Sequence, residues 1–434
     1  MWTAASRGCG SRAVNVELVT IGNELLLGFT LDSNGAHLAR ELAAIGVSIV
    51  RRTSVGDEAT AIAAVVREAL GRTGAVITTG GLGPTSDDLT KPSVAAVFGR
   101  SMRLDEGIVE ALRQRWISRG WGTELPAANT QQAMIPDGAS ILVNRHGSAP
   151  GIWLEDERAR WVAMLPGVPR EMRGMFADEL LPKLRERLGA SATAVVVSRT
   201  VRTTGISESL LADTLKPVES ALAGLSLAFL PGWAGVDLRL TSRGRSAGES
   251  AARLDSAAAV LRTTIGSSVY GAETDDLVRA VLERLRTAGM TLVVAESCTG
   301  GLLGSRITAI PGSSHFFLGG VIAYSNEVKA THLGVGDNTL IKHGAVSEAT
   351  AREMASGVRA RYRADLAVSI TGVAGPDGGT PEKPVGTVCV AVDLRGVLTS
   401  ARRQLIGDRE EVRLRSTQWA LDMVRQALDR DLSS

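Results

Sequence analysis

Thr78-Thr79-Gly80-Gly81-Leu82-Gly83-Pro84-Thr85-Ser86-Asp87-Asp88-Leu89-Thr90 sets three glycines and two adjacent carboxylates directly behind the short β-prone run Ala75-Val76-Ile77. Glycines at a strand end let the backbone approach an anion and turn its N–H groups toward it. Gly80, Gly81, Gly83 and Thr85 are therefore candidate phosphate binders. Asp87 and Asp88 offer hard oxygen ligands for a divalent cation, which can neutralise phosphate charge while water attacks. The alternative is a tight turn followed by an aspartate or Thr90 cap of the next helix.

A second constellation is Ala295-Glu296-Ser297-Cys298-Thr299-Gly300-Gly301, where an apolar strand hands over to a helix. Ser297 can project at that corner, beside N–H groups near Gly300 and Gly301 that suit an oxyanion or a phosphate. His315, His332 and His343 are scattered, so the base is sought in Tyr324-Ser325-Asn326-Glu327-Val328-Lys329. Lys329 can accept the serine proton if burial lowers its pKa, with Tyr324 orienting or relaying through its hydroxyl. The competing reading makes Ser297 a helix cap and Lys329 an exposed helix residue. Cys298 is a rival nucleophile, since a helix N-terminus lowers a thiol pKa. The glycine-rich loop Thr371 to Thr380 can wrap a phosphate through Thr371, Gly372 and Gly375, with Lys383, Arg409 and Arg413 as cationic partners.

The elements that position these residues alternate from Glu17 onward. Strand-like Leu18–Ile21 and Val47–Val50 are separated by a helix over about Ser33–Ile45, and a helix over about Glu58–Leu70 precedes the strand before the glycines. A βαβαβ start predicts a parallel, doubly wound sheet whose crevice lies beyond the carboxyl ends of its strands. Gly22-Asn23-Glu24, Val55-Gly56-Asp57 and Gly80 to Asp88 should meet there, and the loops Asn144–Gly151 and Leu165–Pro169 also follow or precede strands. The segment from about Ala192 to Tyr270 reads strand, helix, two strands, helix. Its Gly232-Trp233-Ala234-Gly235 matches the G-x-x-G of nucleic-acid-binding KH modules, but without an accompanying lysine a hairpin turn is preferred. A third part begins near Glu273 with an amphipathic helix carrying Leu277, Val281 and Leu285, and closes with a helix starting near Asp408.

With 434 residues and 44% hydrophobic content, two or three domains are expected. A net charge of +2 without a long basic run argues against a nucleic-acid or anionic-membrane partner and favours small-molecule chemistry. Cys9, Cys298 and Cys389 fit neither a disulfide framework nor a zinc site, which points to the reducing cytoplasm. No signal peptide and no run of about 18 apolar residues is visible, so no membrane span is expected.

Ile21 to Gly28, Asp32-Ser33-Asn34, Thr79 to Thr90, Asn144 to Gly151 and Leu165 to Met172 resemble the CinA family of competence/damage-inducible proteins. So do Ala295 to Gly301, Tyr324 to Lys329, Thr371 to Thr380 with Lys383 to Thr387, and Gly407-Asp408-Arg409. The resemblance implies an α/β protein with a MogA-like molybdopterin-binding domain over 17–190, a small α+β KH-like spacer over 191–271 and an α/β amidase domain over 272–434. Residues 1–16 have no counterpart in the pattern and are expected to be a disordered extension or a misassigned start. The first domain is thereby expected to cleave the pyrophosphate of ADP-ribose or a related dinucleotide with Mg²⁺ or Co²⁺. Asp57 and Asp88 form the acidic pair flanking the pocket, Asp87 is an added metal ligand, and Glu24, Asn34, Asn144 and Ser148 contact substrate. The last domain is expected to convert nicotinamide mononucleotide to nicotinic acid mononucleotide and ammonia, without a cofactor, through Ser297, Tyr324 and Lys329. The whole is expected to be a cytoplasmic homodimer. The rival readings are a pterin- or nucleotide-binding sensor without turnover and an adaptor in DNA uptake or repair.

Overall fold

The apolar runs of the first part of the chain become buried strands in the computed structural model, which describes residues 15–188 and 195–432. These strands are β1 (Asn15–Ile21), β2 (Ser48–Val55), β3 (Ala75–Thr79), β4 (Met102–Leu104), β5 (Met134–Pro136), β6 (Ser140–Leu142), β7 (Gly151–Glu155) and β8 (Trp161–Leu165). Six of them form one sheet in the order β2-β1-β3-β8-β7-β6, while β4 and β5 pair separately. β2, β1, β3 and β8 run parallel, as the βαβαβ pattern requires, and β7 and β6 add antiparallel. Val16 and Leu18 pack with Leu38 and Leu42 of the helix Ser33–Ala44, whereas Val19 and Ile21 pack with Ile62 and Val66 of the helix Ala59–Thr73. Alternate β1 residues thus bury against helices on opposite faces, which makes the sheet doubly wound. Register brings Ile21, Val55, Thr79 and Leu165 to one edge, and antiparallel β7 starts at that edge too. The strands approach so closely there that a Cβ on Gly80 would lie 2.1 Å from the Ile21 carbonyl oxygen.

The later part contains β9 (Val195–Thr203), β10 (Ser226–Gly232), β11 (Gly235–Arg245) and β12 (Val269–Ala272), ordered β10-β11-β9-β12. Trp233 and Ala234 form the two-residue turn between β10 and β11, with Gly232 opposite Gly235. The hairpin preferred from the sequence is therefore the observed one. It is followed by β13 (Leu292–Glu296), β14 (Phe317–Ile322), β15 (Leu366–Gly372), β16 (Thr387–Leu394) and β17 (Val397–Gln404), ordered β14-β13-β15-β16-β17. β14, β13 and β15 are parallel, and β15, β16 and β17 form an antiparallel meander. One face carries the helices Leu277–Ala288 and Arg409–Leu432; the other carries Glu348–Tyr362.

One expected boundary changes. Asn15 and Val16 belong to β1, paired with Ser48 and Ile49, so the expected extension 1–16 gives way two residues early; positions 1–14 and Cys9 lie outside the described residues. The chain groups into two compact units, the part up to Val197 with Ser242–Ala251, and Ser198–Thr241 with everything from Ala252. Most of the segment expected as a spacer packs with the C-terminal part. Two arginines link these stretches. Arg425, 2% exposed, donates to the Ser267 carbonyl at 2.6 Å, and Arg306 stacks 5.0 Å over the Trp233 ring while bonding Asp276.

Candidate functional site

β13 ends on Glu296 and hands the chain to Ser297, whose amide continues the sheet by donating to the Ile370 carbonyl at 2.9 Å. Across β14 the chain re-enters a helix at Asn326–Leu333, capped by the Ser325 hydroxyl, and this first turn swings Lys329 inward. Lys329 Nζ lies 3.1 Å from Ser297 Oγ, and also donates to the carbonyls of Ala323 at 2.8 Å and Tyr324 at 3.3 Å. The lysine is 1% exposed, and burial lowers its pKa from the ordinary lysine value. A neutral amine has two N–H groups and one lone pair. Carbonyls can only accept, so they take the N–H groups and leave the lone pair for the serine hydroxyl. That arrangement can activate an alcohol nucleophile.

Both structural alternatives for these residues are overturned: the following helix starts at Leu302 with Gly301 as its cap, and Lys329 is buried. Two further expectations are corrected. Gly300 N–H donates to the Ser297 carbonyl, and Gly301 N–H donates to Glu296 Oε2, so neither is free for an oxyanion. The buried Glu296 carboxylate also takes the amides of Leu303 at 3.0 Å and Gly304 at 2.8 Å, filling the anion seat of the helix end. Cys298 is not activated there: burial pushes its thiol up to about 12, and the Glu296 charge adds to the rise.

A cavity of about 270 Å³ opens beside the pair, walled by Ser297, Lys329 and Tyr324 on one side and by Thr371–Gly375, Asp377, Gly378 and Arg409 on the other. Thr371 anchors its loop by donating from Oγ1 to the Ala345 carbonyl, and Arg409 braces the same loop through the Gly375 carbonyl at 2.5 Å. Tyr324 is 63% exposed and its hydroxyl meets Arg409 Nη2 at 3.3 Å; its carbonyl, rather than its hydroxyl, touches Lys329. Of the three expected cations only Arg409 lines the cavity. Lys383 is bonded to the His343 carbonyl and Arg413 to that of Thr299.

In the first unit the expected loops do share one sheet edge. Asp57 Oδ2 accepts the Asn23 amide at 2.8 Å, joining the loops after β1 and β2, and the Glu24 carboxylate folds over Gly22. Asn34 donates to Thr79 Oγ1 at 3.1 Å and to the Gly167 carbonyl at 2.7 Å, tying the ends of β3 and β8, while its buried Oδ1 has no partner among the described residues. Asp88 Oδ2 takes both the Thr85 amide at 2.8 Å and the Thr85 hydroxyl at 2.6 Å, directly over Gly83. Thr85 thus closes the loop instead of presenting its donors outward. Gly81 packs against Thr90, whose hydroxyl donates to the Gly80 carbonyl at 2.8 Å. Asn144 clips its own loop through the Ala149 carbonyl and Glu171, and Ser148 lines a separate cavity of about 320 Å³ against the helix Glu106–Ser118.

Three family models cover most of the chain: "Probable molybdopterin binding domain" over 17–186, "Damage-inducible protein CinA KH domain" over 198–271 and "CinA C-terminal domain" over 274–428. A CinA-like protein of Gemmatimonas aurantiaca is 58% identical over 96% of this chain and 97% of its own length. The chain belongs to the CinA-like family. A CinA-like protein of Frankia casuarinae is 42% identical over 96% of each chain. A solved CinA superfamily structure from Klebsiella pneumoniae is 37% identical, covering 36% of this chain and 96% of its own, with a TM-score of 0.35.

Within this CinA-like frame, two residues escaped the sequence reading. Glu296 carries a sequence signal, an acid just before a helix start. Lys91, 2% exposed, donates to the carbonyls of Gln131 at 3.0 Å and Gln132 at 2.8 Å, and burial lowers its pKa to about 8. Nothing in Thr90-Lys91-Pro92 distinguishes it from a surface lysine. Among the described residues no three acidic, histidine or cysteine side chains gather as metal ligands. Asp87 and Asp88 supply oxygen only, and Asp88 has already spent Oδ2 on Thr85, a sparse set that fits a cation keeping most of its water, such as Mg²⁺.

Proposed function

We propose that the Ser297 cavity hydrolyses a carboxamide, with nicotinamide mononucleotide as substrate. The observation that carries this reading is the 3.1 Å contact between Ser297 Oγ and a buried Lys329 amine of lowered pKa. Lys329 takes the hydroxyl proton as Oγ attacks the carboxamide carbon. The resulting ammonium returns that proton to the departing nitrogen, so that ammonia leaves and an ester to Ser297 remains. Water, deprotonated by the same amine, then releases the carboxylic acid and restores the serine. Arg409 supports the substrate phosphate. With Gly300 and Gly301 engaged, wall amides such as those of Cys298, Ala374 and Gly375 are candidate donors to the oxyanion or the phosphate. Ammonia release from nicotinamide mononucleotide is expected to fall by about 10⁴-fold or more in Ser297→Ala and to survive in Cys298→Ala. The reverse pattern would hand the role to the thiol.

For the first unit we propose cleavage of the pyrophosphate of ADP-ribose or a related dinucleotide, supported by Asp57 and Asp88 on loops that share one sheet edge. A divalent cation held by Asp87 and Asp88 would neutralise phosphate charge there. Asp88 also holds the loop in shape, and a carboxamide in its place would keep an acceptor for Thr85, so Asp88→Asn separates charge from architecture. AMP release is expected to be lost in that variant; unchanged release would end the proposal. Tight ADP-ribose binding without product in the wild type would favour a sensor, and salt-dependent DNA binding would favour an adaptor.

A further inference from the structure

A cavity of about 230 Å³ lies at the β10–β11 turn and shares no wall residue with the Ser297 cavity. Its wall includes Trp233 of the hairpin, Arg403 on β17, and Arg415, Gln418 and Trp419 of the helix Arg409–Leu432. Gln418 is 3% exposed, and its Oε1 accepts from Arg306 Nη2 at 3.0 Å. Because a guanidinium only donates, that contact fixes the orientation of the amide. Nε2 is therefore a buried donor, and it has no acceptor among the described residues; Arg415 Nε is in the same condition. The acids nearby do not satisfy this surplus. Asp422 on the wall is paired with Arg425 at 2.6 Å, and Glu411 stands 3.9 Å from Arg415 Nη2. Arg403 rests its guanidinium 4.8 Å over the Trp419 ring. Native interiors rarely leave buried donors unmet, so an unmet amide and an unmet guanidinium nitrogen, with the second guanidinium of Arg403 on the same wall, call for an acceptor-rich anion. Trp233, backed by Arg306 on one face and 36% exposed, offers an indole at the mouth on which a ring can stack.

We propose that this cavity binds a nucleoside monophosphate, its phosphate against Arg403, Arg415 and Gln418 and its base at Trp233. The volume lies below the roughly 300–1,000 Å³ of cavities that enclose drug-sized ligands, so one nucleotide matches it better than a dinucleotide. Calorimetric titration of the full chain with AMP and with inorganic phosphate tests the assignment. AMP binding is expected to weaken by about tenfold or more in Arg403→Gln/Arg415→Gln, the scale of a lost charge-assisted contact. Gln418→Glu keeps side-chain size and the Arg306 contact, and so preserves the fold while replacing the donor with a negative charge. It is expected to abolish the same binding event without lowering the melting temperature. AMP affinity unaltered by both variants would overturn the site, and equal affinity for inorganic phosphate and AMP would overturn the nucleotide assignment.

Discussion

Lys329 is surrounded by oxygens whether charged or neutral, so its titration can switch chemistry without breaking the cavity. Its folded pKa is depressed, so the unfolded chain holds this proton more tightly, and its contribution to stability grows as pH rises above the folded value toward that of a free lysine. The same sign governs the reaction. The kcat/KM for amide hydrolysis should climb with pH through that depressed value and then level off, and Lys329→Arg, charged throughout, should be inactive across the profile. Lys91 makes the matching test in the first unit. With a folded pKa of about 8 against 10.5, its protonated form opposes folding, so the urea midpoint of that unit should be higher at pH about 9.5 than at pH about 7. The serine–lysine pair was legible because a serine at a strand-to-helix corner needs a base and a lysine-bearing helix follows the neighbouring strand. Lys91 was not, because burial of a lone lysine depends on carbonyls some forty positions later, at Gln131 and Gln132.

Among the elements, the corner after β13 depends on Glu296 more than on its glycines. Glu296→Ala would leave the amides of Gly301, Leu303 and Gly304 without their anion, and should cost about 2–4 kcal/mol in equilibrium unfolding. Whether a helix's first amides are free for substrate cannot be read from a serine–glycine string, since one carboxylate folding back consumes them. Strand lengths failed for a related reason. β2 runs to Val55, well past the expected Val50, because it is an edge strand on which Arg51 and Arg52 interrupt the apolar pattern without interrupting the ladder. Arg52 instead reaches Asp32 at 2.6 Å, the residue that caps the helix Ser33–Ala44. The inner strands β1, β3 and β13, with covered faces, were legible as apolar runs.

Across the molecule, the element pattern marks three segments, which packing groups into two units. The difference rests on polar groups that look like surface residues until their partners are known. Arg425 is held by Asp422 at 2.6 Å and by the Ser267 carbonyl, all in the second unit. Arg425→Ala would strand Asp422 in the interior and should destabilise that unit by about 3–5 kcal/mol, while a calorimetric transition of the first unit stays where it was. Helical periodicity reports where a helix hides its apolar stripe, and says nothing about an arginine buried against a distant carbonyl. Scissors applied near Glu273, where the family models part, would sever these contacts. The trimmed C-terminal fragment would carry Arg425 without Ser267 and Arg306 without Trp233, a polar scar that water must heal, and its behaviour would be a poor proxy for that of the intact chain.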